Sequence, residues 1–258
     1  MKSFGHYNQK GWEYNMSYVL IVGAKSDIAK AIAKEYAKQG YDLYLAARNT
    51  CEFEAFASDI AVRTQKTVKT IELDILNYQS HQRFYDQLEE KPVGSIIAVG
   101  YLGNQEKAQS DFNEAKRIMD TNYTGIVSLL NIIANDFEQR KSGFIVGISS
   151  VAGDRGRKNN YIYGSAKAAL TTYLSGLRNR LCDAQVQVLT VKPGFVATKM
   201  TEGMNLPKKL TAQPEEVAKD IYKAQQKGKN VIYTKWIWRW VMLMIKMIPE
   251  WKFKKLSI

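Results

Sequence analysis

The sequence predicts an α/β fold, a doubly wound parallel sheet in a single domain with helices on both faces. Three observations predict it. Continuous apolar runs of strand length recur along the chain, as in strands buried on both faces, and Tyr18 to Val22 (YVLIV) is the first. Helical periodicity follows each run, and such β-α alternation builds a parallel sheet through crossover helices. The 258 residues suffice for one well-buried domain, with no linker or low-complexity stretch dividing them.

After the first strand, Asp27 to Gln39 repeats apolar residues at Ile28, Ile32, Ala33 and Tyr36, a helical period that Gly40 ends. Asp42 to Ala46 reads as the second strand, Glu52 to Arg63 as a helix, Val68 to Leu73 as the third strand and Tyr78 to Leu88 as a helix. Ser95 to Val99 gives a fourth strand, Phe112 to Phe137 a long helix, Gly143 to Ile148 a fifth strand, Tyr161 to Leu181 a helix and Val186 to Val191 a sixth strand. Pro214 to Lys227 and Val231 to Tyr233 add a last helix and strand, which bounds the main domain at 17–235. Residues 1–16 are polar and aromatic without the apolar core of a secretory signal, and read as a leader or expression remnant ahead of the domain. Residues 236–258 form an amphipathic C-terminal segment on or extending the same domain.

Thirty-seven Lys and Arg against 25 Asp and Glu give a net charge of +12, which favours an anionic partner: a nucleotide, a nucleic acid or an acidic membrane surface. The basic residues are spread and no nucleic-acid module is visible, so nucleic-acid binding is not expected. Cys51 and Cys182 lack metal or redox spacing, which suits a reducing cytoplasm, and no metal site is expected. His6 and His81 do not support a His-based nucleophilic triad.

Tyr163 and Lys167 lie four residues apart in YIYGSAKAALTTYLSGL, whose Ala and Leu content favours a helix, so both side chains project from one face. An ammonium one turn from a phenol stabilises the phenolate and brings a group that titrates near pH ~10 within reach of proton transfer at neutral pH. Ser150, thirteen residues earlier at the mouth of the fifth strand, can fold back beside the phenol. A Tyr and a Lys meeting on a helix by chance is the bland alternative, because YxxxK alone is common.

With this spacing the chain resembles the short-chain dehydrogenase/reductase family and its Ser-Tyr-Lys pattern. The resemblance implies a Rossmann-like sheet and nicotinamide-dependent carbonyl or alcohol chemistry. Asn122 in TNYTG matches the family Asn that holds a water on the proton-relay path, so the implied catalytic residues are Asn122, Ser150, Tyr163 and Lys167. In that reading Tyr163 is the general acid toward a ketone oxygen and Ser150 steadies that oxygen. Lys167 lowers the tyrosine pKa and holds the nicotinamide ribose, and hydride comes from the cofactor.

The first β-α turn reads Gly23-Ala24-Lys25-Ser26-Asp27-Ile28-Ala29 where the family has GxxxGxG, so only the first glycine survives. Its role is a tight turn that lets backbone amides and a helix N-terminus approach a pyrophosphate, whereas Asp27 brings negative charge there. Asp74, followed by Ile75, matches the family acid at the adenine, and Gly100 is what remains of NNAG in Ile97-Ala98-Val99-Gly100. Pro193-Gly194, with Val196 and Thr198 after it, matches PGxxxT along the nicotinamide. Ala47 stands where NAD-preferring members carry an acid, and Arg48 with Lys25 suits a 2′-phosphate, so NADP(H) is favoured and NAD(H) stays open. Residues 199–213 have no clear period and lie where a substrate lid would.

The C-terminal run WIWRWVMLMIKMIPEWKFKKLSI is too short to span a bilayer. As a helix it places Ile237, Trp240, Val241, Met244, Ile245 and Ile248 on one face and Arg239 and Lys246 on the other. Aromatic rings beside basic residues suit an anionic lipid interface; a helix closing the pocket or meeting a partner subunit is the alternative. With AVGYLG, NYTG and this tail, the chain is similar to the decaprenylphosphoryl-2-keto-ribose reductase branch, from which Arg48 departs. The branch implies a keto-sugar on polyprenyl phosphate, reduced at a membrane surface with a separate oxidase as partner. The expected function is therefore NADPH-dependent reduction of a lipid-linked or small-molecule ketone to a secondary alcohol. Its setting would be cytoplasmic, with peripheral contact at the inner face of a membrane, and the family implies a homo-dimer or tetramer. The alternatives are reduction of a soluble hydrophobic ketone and, in another class, an NADP-binding regulatory or scaffold protein without turnover.

Overall fold

In the computed structural model, which describes residues 17–256, the strands are β1 (Tyr18–Val22), β2 (Asp42–Ala47), β3 (Val68–Glu72), β4 (Gly94–Ile97), β5 (Phe144–Ile148), β6 (Gln187–Pro193) and, after two short strands, β9 (Val231–Thr234). They form one parallel sheet in the order β3-β2-β1-β4-β5-β6-β9. Both β1 and β5 are buried end to end, as their unbroken apolar runs require, while edge strand β3 is largely half-exposed and carries Lys69 and Glu72. Strand order reverses between β1 and β4, where doubly wound sheets open a crevice at the strands' carboxyl ends.

Helices α1 (Asp27–Lys38), α2 (Glu54–Thr64) and α8 (Pro214–Gln226) cover one face, their Ile32, Tyr36, Ile60, Val217 and Ile221 meeting the sheet's Ile21, Leu45 and Val146. The other face carries α3 (His81–Asp86), α6 (Gly125–Arg140) and α7 (Tyr161–Arg180), with Leu129, Ile133, Phe137, Leu170 and Leu174 packed on Leu20, Tyr44 and Ile145. The remaining elements are α4 (Gln105–Ser110), α5 (Phe112–Met119), the short parallel pair β7 (Phe195–Val196) and β8 (Thr211–Ala212), α9 (Ile237–Met247) and α10 (Glu250–Phe253). The leader reading for 1–16 and the last two residues of the C-terminal segment lie outside the described residues.

Several expected elements differ. The long helix over 112–137 is two helices, α5 and α6, joined by a π-turn at Asp120–Thr124 and extended to Arg140, and α4 precedes them. The helices expected at 52–63 and 78–88 begin as 3₁₀ turns at Thr50–Glu52 and Tyr78–Ser80, leaving α2 and the six-residue α3. Residues 199–213 hold two 3₁₀ turns and β8. On α9 the face against the body is centred on Trp238 and Met242, with Val241 and Ile245 beside them, rather than on the expected stripe. Ile237, Trp240 and Met244 of that stripe face solvent. Among the described residues no helix is long and apolar enough to cross a membrane.

Candidate active site

Ser150 follows β5 in extended backbone, and its hydroxyl accepts from the Ala152 amide at 3.1 Å to begin a 3₁₀ turn, Val151–Gly153. Helix α7 lies directly on that turn. A Cβ at Gly164 would stand 2.7 Å from the Ala152 carbonyl oxygen, so glycine permits this approach one residue after Tyr163. Buried Ser149 donates to the Lys167 carbonyl at 2.9 Å and lies 2.7 Å from the Thr171 hydroxyl, fixing the register between β5 and α7. The result sets the Ser150 hydroxyl and the Tyr163 phenol on the wall of one cavity, with the serine near enough to draw the phenol pKa down.

Lys167 is 2% exposed; its ammonium donates to the carbonyls of Ile148 at 3.1 Å and Val99 at 3.3 Å, and lies 5.8 Å from the Tyr163 ring centre. Burial pushes the Lys167 pKa down to about 7. Burial also pushes the Tyr163 phenol up to about 12, partly offset by the neighbouring Ser150 hydroxyl. Desolvation thus works against the lowering expected from Lys167.

Asn122 is fully buried in the π-turn. The extra residue of that turn frees the Ile118 carbonyl, which accepts from Asn122 Nδ2 at 2.8 Å. The same amide donates to the Tyr101 carbonyl at 2.6 Å, and Oδ1 accepts from the Tyr101 N–H at 3.2 Å. Asn122 thus stands behind the wall: a Cβ at Gly100 would lie 3.7 Å from its Oδ1 and 3.9 Å from the Lys167 ammonium.

Two cavities sharing the wall Lys25, Ser26, Ala98, Val99 and Gly100 run along the carboxyl ends of the strands. The first, about 350 Å³, gathers Ser150, Tyr163, Lys167, Asp27, Ile28, Pro193, Gly194, Val196 and Thr198. The second, about 320 Å³, gathers Gly23, Arg48, Asp74 and Ile75. The residues fit a dinucleotide. Gly23 has φ +86°, and a Cβ there would meet the Ala98 and Val99 backbone at 2.9 Å, so the turn hugs β4 and leaves the groove open. The N-terminus of α1, capped by Ser26 through the Ala29 amide, faces the groove and favours an anion. Asp27, in place of a glycine, spends its carboxylate on the Lys199 N–H at 2.8 Å, which ties the segment after β7 to this turn.

Lys25 lines both cavities as expected but its ammonium pairs with Glu52 at 2.5 Å, whereas Arg48, just after β2, faces the second cavity together with Arg117. Asp74 accepts from the Leu76 N–H at 3.0 Å. Sequence reasoning missed Tyr101 and Arg117, stacked 4.4 Å apart at the second cavity, and Phe195 on the first, where Met200 and Met204 of the expected lid segment also lie. It also missed Arg157 and Asn160, although both lie between Ser150 and Tyr163. Trp238 was missed for another reason: its indole packs on Gly194, where a Cβ would fall 2.0 Å from the ring, and donates to the Leu210 carbonyl at 3.0 Å.

The family model described as short chain dehydrogenase matches residues 17–209. An uncharacterised oxidoreductase of Mycobacterium tuberculosis is 35% identical over 241 residues, covering 92% of this chain and 96% of its own length. A short-chain dehydrogenase from Sphingobium yanoikuyae, solved with NADPH, superposes with a TM-score of 0.79 at 22% identity over 91% of this chain and 97% of its own. A bulky-bulky ketone specific alcohol dehydrogenase from Comamonas testosteroni gives 0.76 at 23% identity, over 92% and 96%. At these identities the solved structures speak for the fold.

Proposed function

The chain belongs to the short-chain dehydrogenase/reductase family of NAD(P)-dependent oxidoreductases, and on that premise we propose that it reduces a ketone to a secondary alcohol. The observation that carries this reading is the Ser150 hydroxyl and the Tyr163 phenol gathered in one cavity with the buried Lys167, at one end of a continuous groove. A phenol held up to about 12 keeps its proton at neutral pH and can give it to a ketone oxygen, with the Ser150 hydroxyl donating a second hydrogen bond to the same oxygen. The Lys167 ammonium then steadies the phenolate left behind. Asn122 keeps the Tyr101 backbone and the Gly100 wall in place beside it.

Gly23, the α1 N-terminus, Arg48, Asp74 and Gly100 would hold the dinucleotide, with Pro193, Gly194, Val196 and Thr198 at its nicotinamide end. The nicotinamide, when bound, supplies hydride. Arg48 in the groove, with Ala47 where an acid would face a ribose hydroxyl, supports NADP(H) over NAD(H). Two assays test the reading. Ketone-dependent NADPH oxidation should be lost in Tyr163→Phe, and tighter binding of NADPH than NADH should vanish in Arg48→Ala. Full ketone turnover by Tyr163→Phe would refute the proton-donor role.

The substrate we favour is a lipid-linked keto-sugar met at an anionic bilayer surface. The exposed side of α9 and α10 supports it: Trp240 is 53%, Met247 73% and Trp251 62% exposed, with Arg239, Lys246, Lys252, Lys254 and Lys255 around them. Aromatic rings interleaved with cations match a headgroup layer of acidic phospholipid. A soluble hydrophobic ketone is the second reading, favoured by Leu102, Phe195, Met200 and Met204 on the cavity.

A further inference from the structure

Arg157 lies in the loop between Ser150 and Tyr163 and lines the same cavity as both. Its Nε is buried without a hydrogen-bond partner, and its Nη2 reaches the Val151 carbonyl only at 3.5 Å. The carboxylate in electrostatic range is Asp154, already bonded to the Lys192 ammonium at 2.5 Å and the Tyr233 hydroxyl at 2.8 Å. A desolvated guanidinium without a committed counter-charge is costly, and such groups are retained where a ligand supplies the missing charge.

Neighbouring Arg155 shows what a structural arginine looks like in this loop. It donates to the carbonyls of Ile245 at 2.5 Å and Ile248 at 2.6 Å, pairs with Glu250 at 2.9 Å and stacks 3.6 Å from the Phe253 ring centre. With Asp154 and Arg155 both engaged, the loop is anchored just ahead of Gly156 and Arg157 is presented rather than recruited. Asn160, which also lines the cavity, has a buried Oδ1 with no partner, an acceptor waiting for a donor.

We propose that the ketone substrate carries an anionic group, a carboxylate or a phosphate, gripped by the Arg157 guanidinium, and a hydroxyl that donates to Asn160. A guanidinium fork matches either anion with two parallel hydrogen bonds. Arg157 is thereby a substrate-selecting residue, and the inference deepens the ketone-reductase reading on which it rests.

The test uses full-length protein saturated with NADPH, which fills the phosphate-binding groove, and calorimetric titration with hexyl phosphate, hexanoate and hexanol. One of the two anions should bind at least about 10-fold more tightly than hexanol, the worth of one charge-assisted contact. Which anion wins names the group. In Arg157→Met that advantage should shrink to less than about 3-fold, and Arg157→Lys should keep part of it, because charge survives where the fork does not. Equal binding of hexanol and both anions by the wild type, or an advantage that persists in Arg157→Met, would overturn the proposal. A melting temperature of Arg157→Met at or above wild type shows that the loss is not unfolding. The titration needs no turnover, so a failure of ketone reduction with an intact Arg157 effect would sink the reductase reading alone.

Discussion

Replacing Lys167 by methionine should make the nucleotide-free protein more stable at pH 6 and no more stable at pH 9. The Lys167 pKa falls from 10.5 to about 7 because the ammonium is buried. At 1.36 kcal/mol per pH unit, that interval makes the buried charge cost about 5 kcal/mol. Below pH 7 both folded and unfolded chains carry the proton and the whole cost is felt. As pH rises toward 10.5 the folded chain has already released its proton, and at pH 9 the remaining cost is about 2 kcal/mol. Methionine removes this cost but strips the donor from the Ile148 and Val99 carbonyls, a loss of about 1 kcal/mol each. The net expectation is a gain of about 3 kcal/mol at pH 6 and about zero at pH 9. Urea unfolding of both proteins at the two pH values, with m-values checked for equality, measures it. A difference that does not change with pH, or a methionine variant less stable at pH 6, would refute the claim that burial of the ammonium sets its pKa.

Three further outcomes follow from the same geometry. Measured as kcat/KM for NADPH, which reports the free enzyme, ketone reduction should fall as pH rises above about 7, when Lys167 gives up its proton, and not near 12 where Tyr163 would; a profile flat to pH 10 contradicts this. Gly194→Ala places a Cβ 2.0 Å from the Trp238 indole, so α9 must shift, at a cost of about 1–3 kcal/mol, with a red shift in tryptophan emission; an unaltered melting temperature and spectrum would count against that packing. In flotation assays the protein should rise with phosphatidylglycerol vesicles but not with phosphatidylcholine ones, and the double change Trp240→Glu with Met247→Glu should keep it at the bottom; binding indifferent to lipid charge would refute the anionic-surface reading.

The sheet was legible because parallel strands buried on both faces leave unbroken apolar runs, and YVLIV and FIVGI are both buried end to end. The helix through Asn122 was not, because a π-turn adds one residue without disturbing the apolar residues on either side. Its signal lies in a buried amide bonding Ile118, which only the folded chain displays. Spacing placed Ser150, Tyr163 and Lys167 together, since a helix of known pitch follows a strand of known direction. The electrostatics eluded it: Lys25 is taken up by Glu52, and the phenol is raised rather than lowered, because ion pairing and desolvation depend on side chains distant in sequence. Arg155 and Arg157 look alike in DRGRK, yet one is fully bonded and the other is not.

The C-terminal helix is the sharpest case, and its misread face bears on function. WIWRWVMLMIKM carries large apolar residues around most of its circumference, so periodicity cannot choose a buried side; the partner does. Here the partner is the active site itself, for Trp238 fills the space over Gly194, stacks edge-on with Phe195 at 5.1 Å and bonds Leu210, while Met242 packs with Val151, the residue after Ser150. Arg155 then grips the carbonyls at the far end of α9 and holds the helix in that roll. The side left outward is the one carrying Trp240, Met244 and Met247, so any surface that engages those residues presses on the helix packed behind Gly194 and Phe195 of the groove wall. If the bilayer is that surface, docking and access to the site are mechanically one event. Vesicles of acidic lipid should then lower KM for a lipid-linked ketone while leaving that for a short soluble ketone where it was.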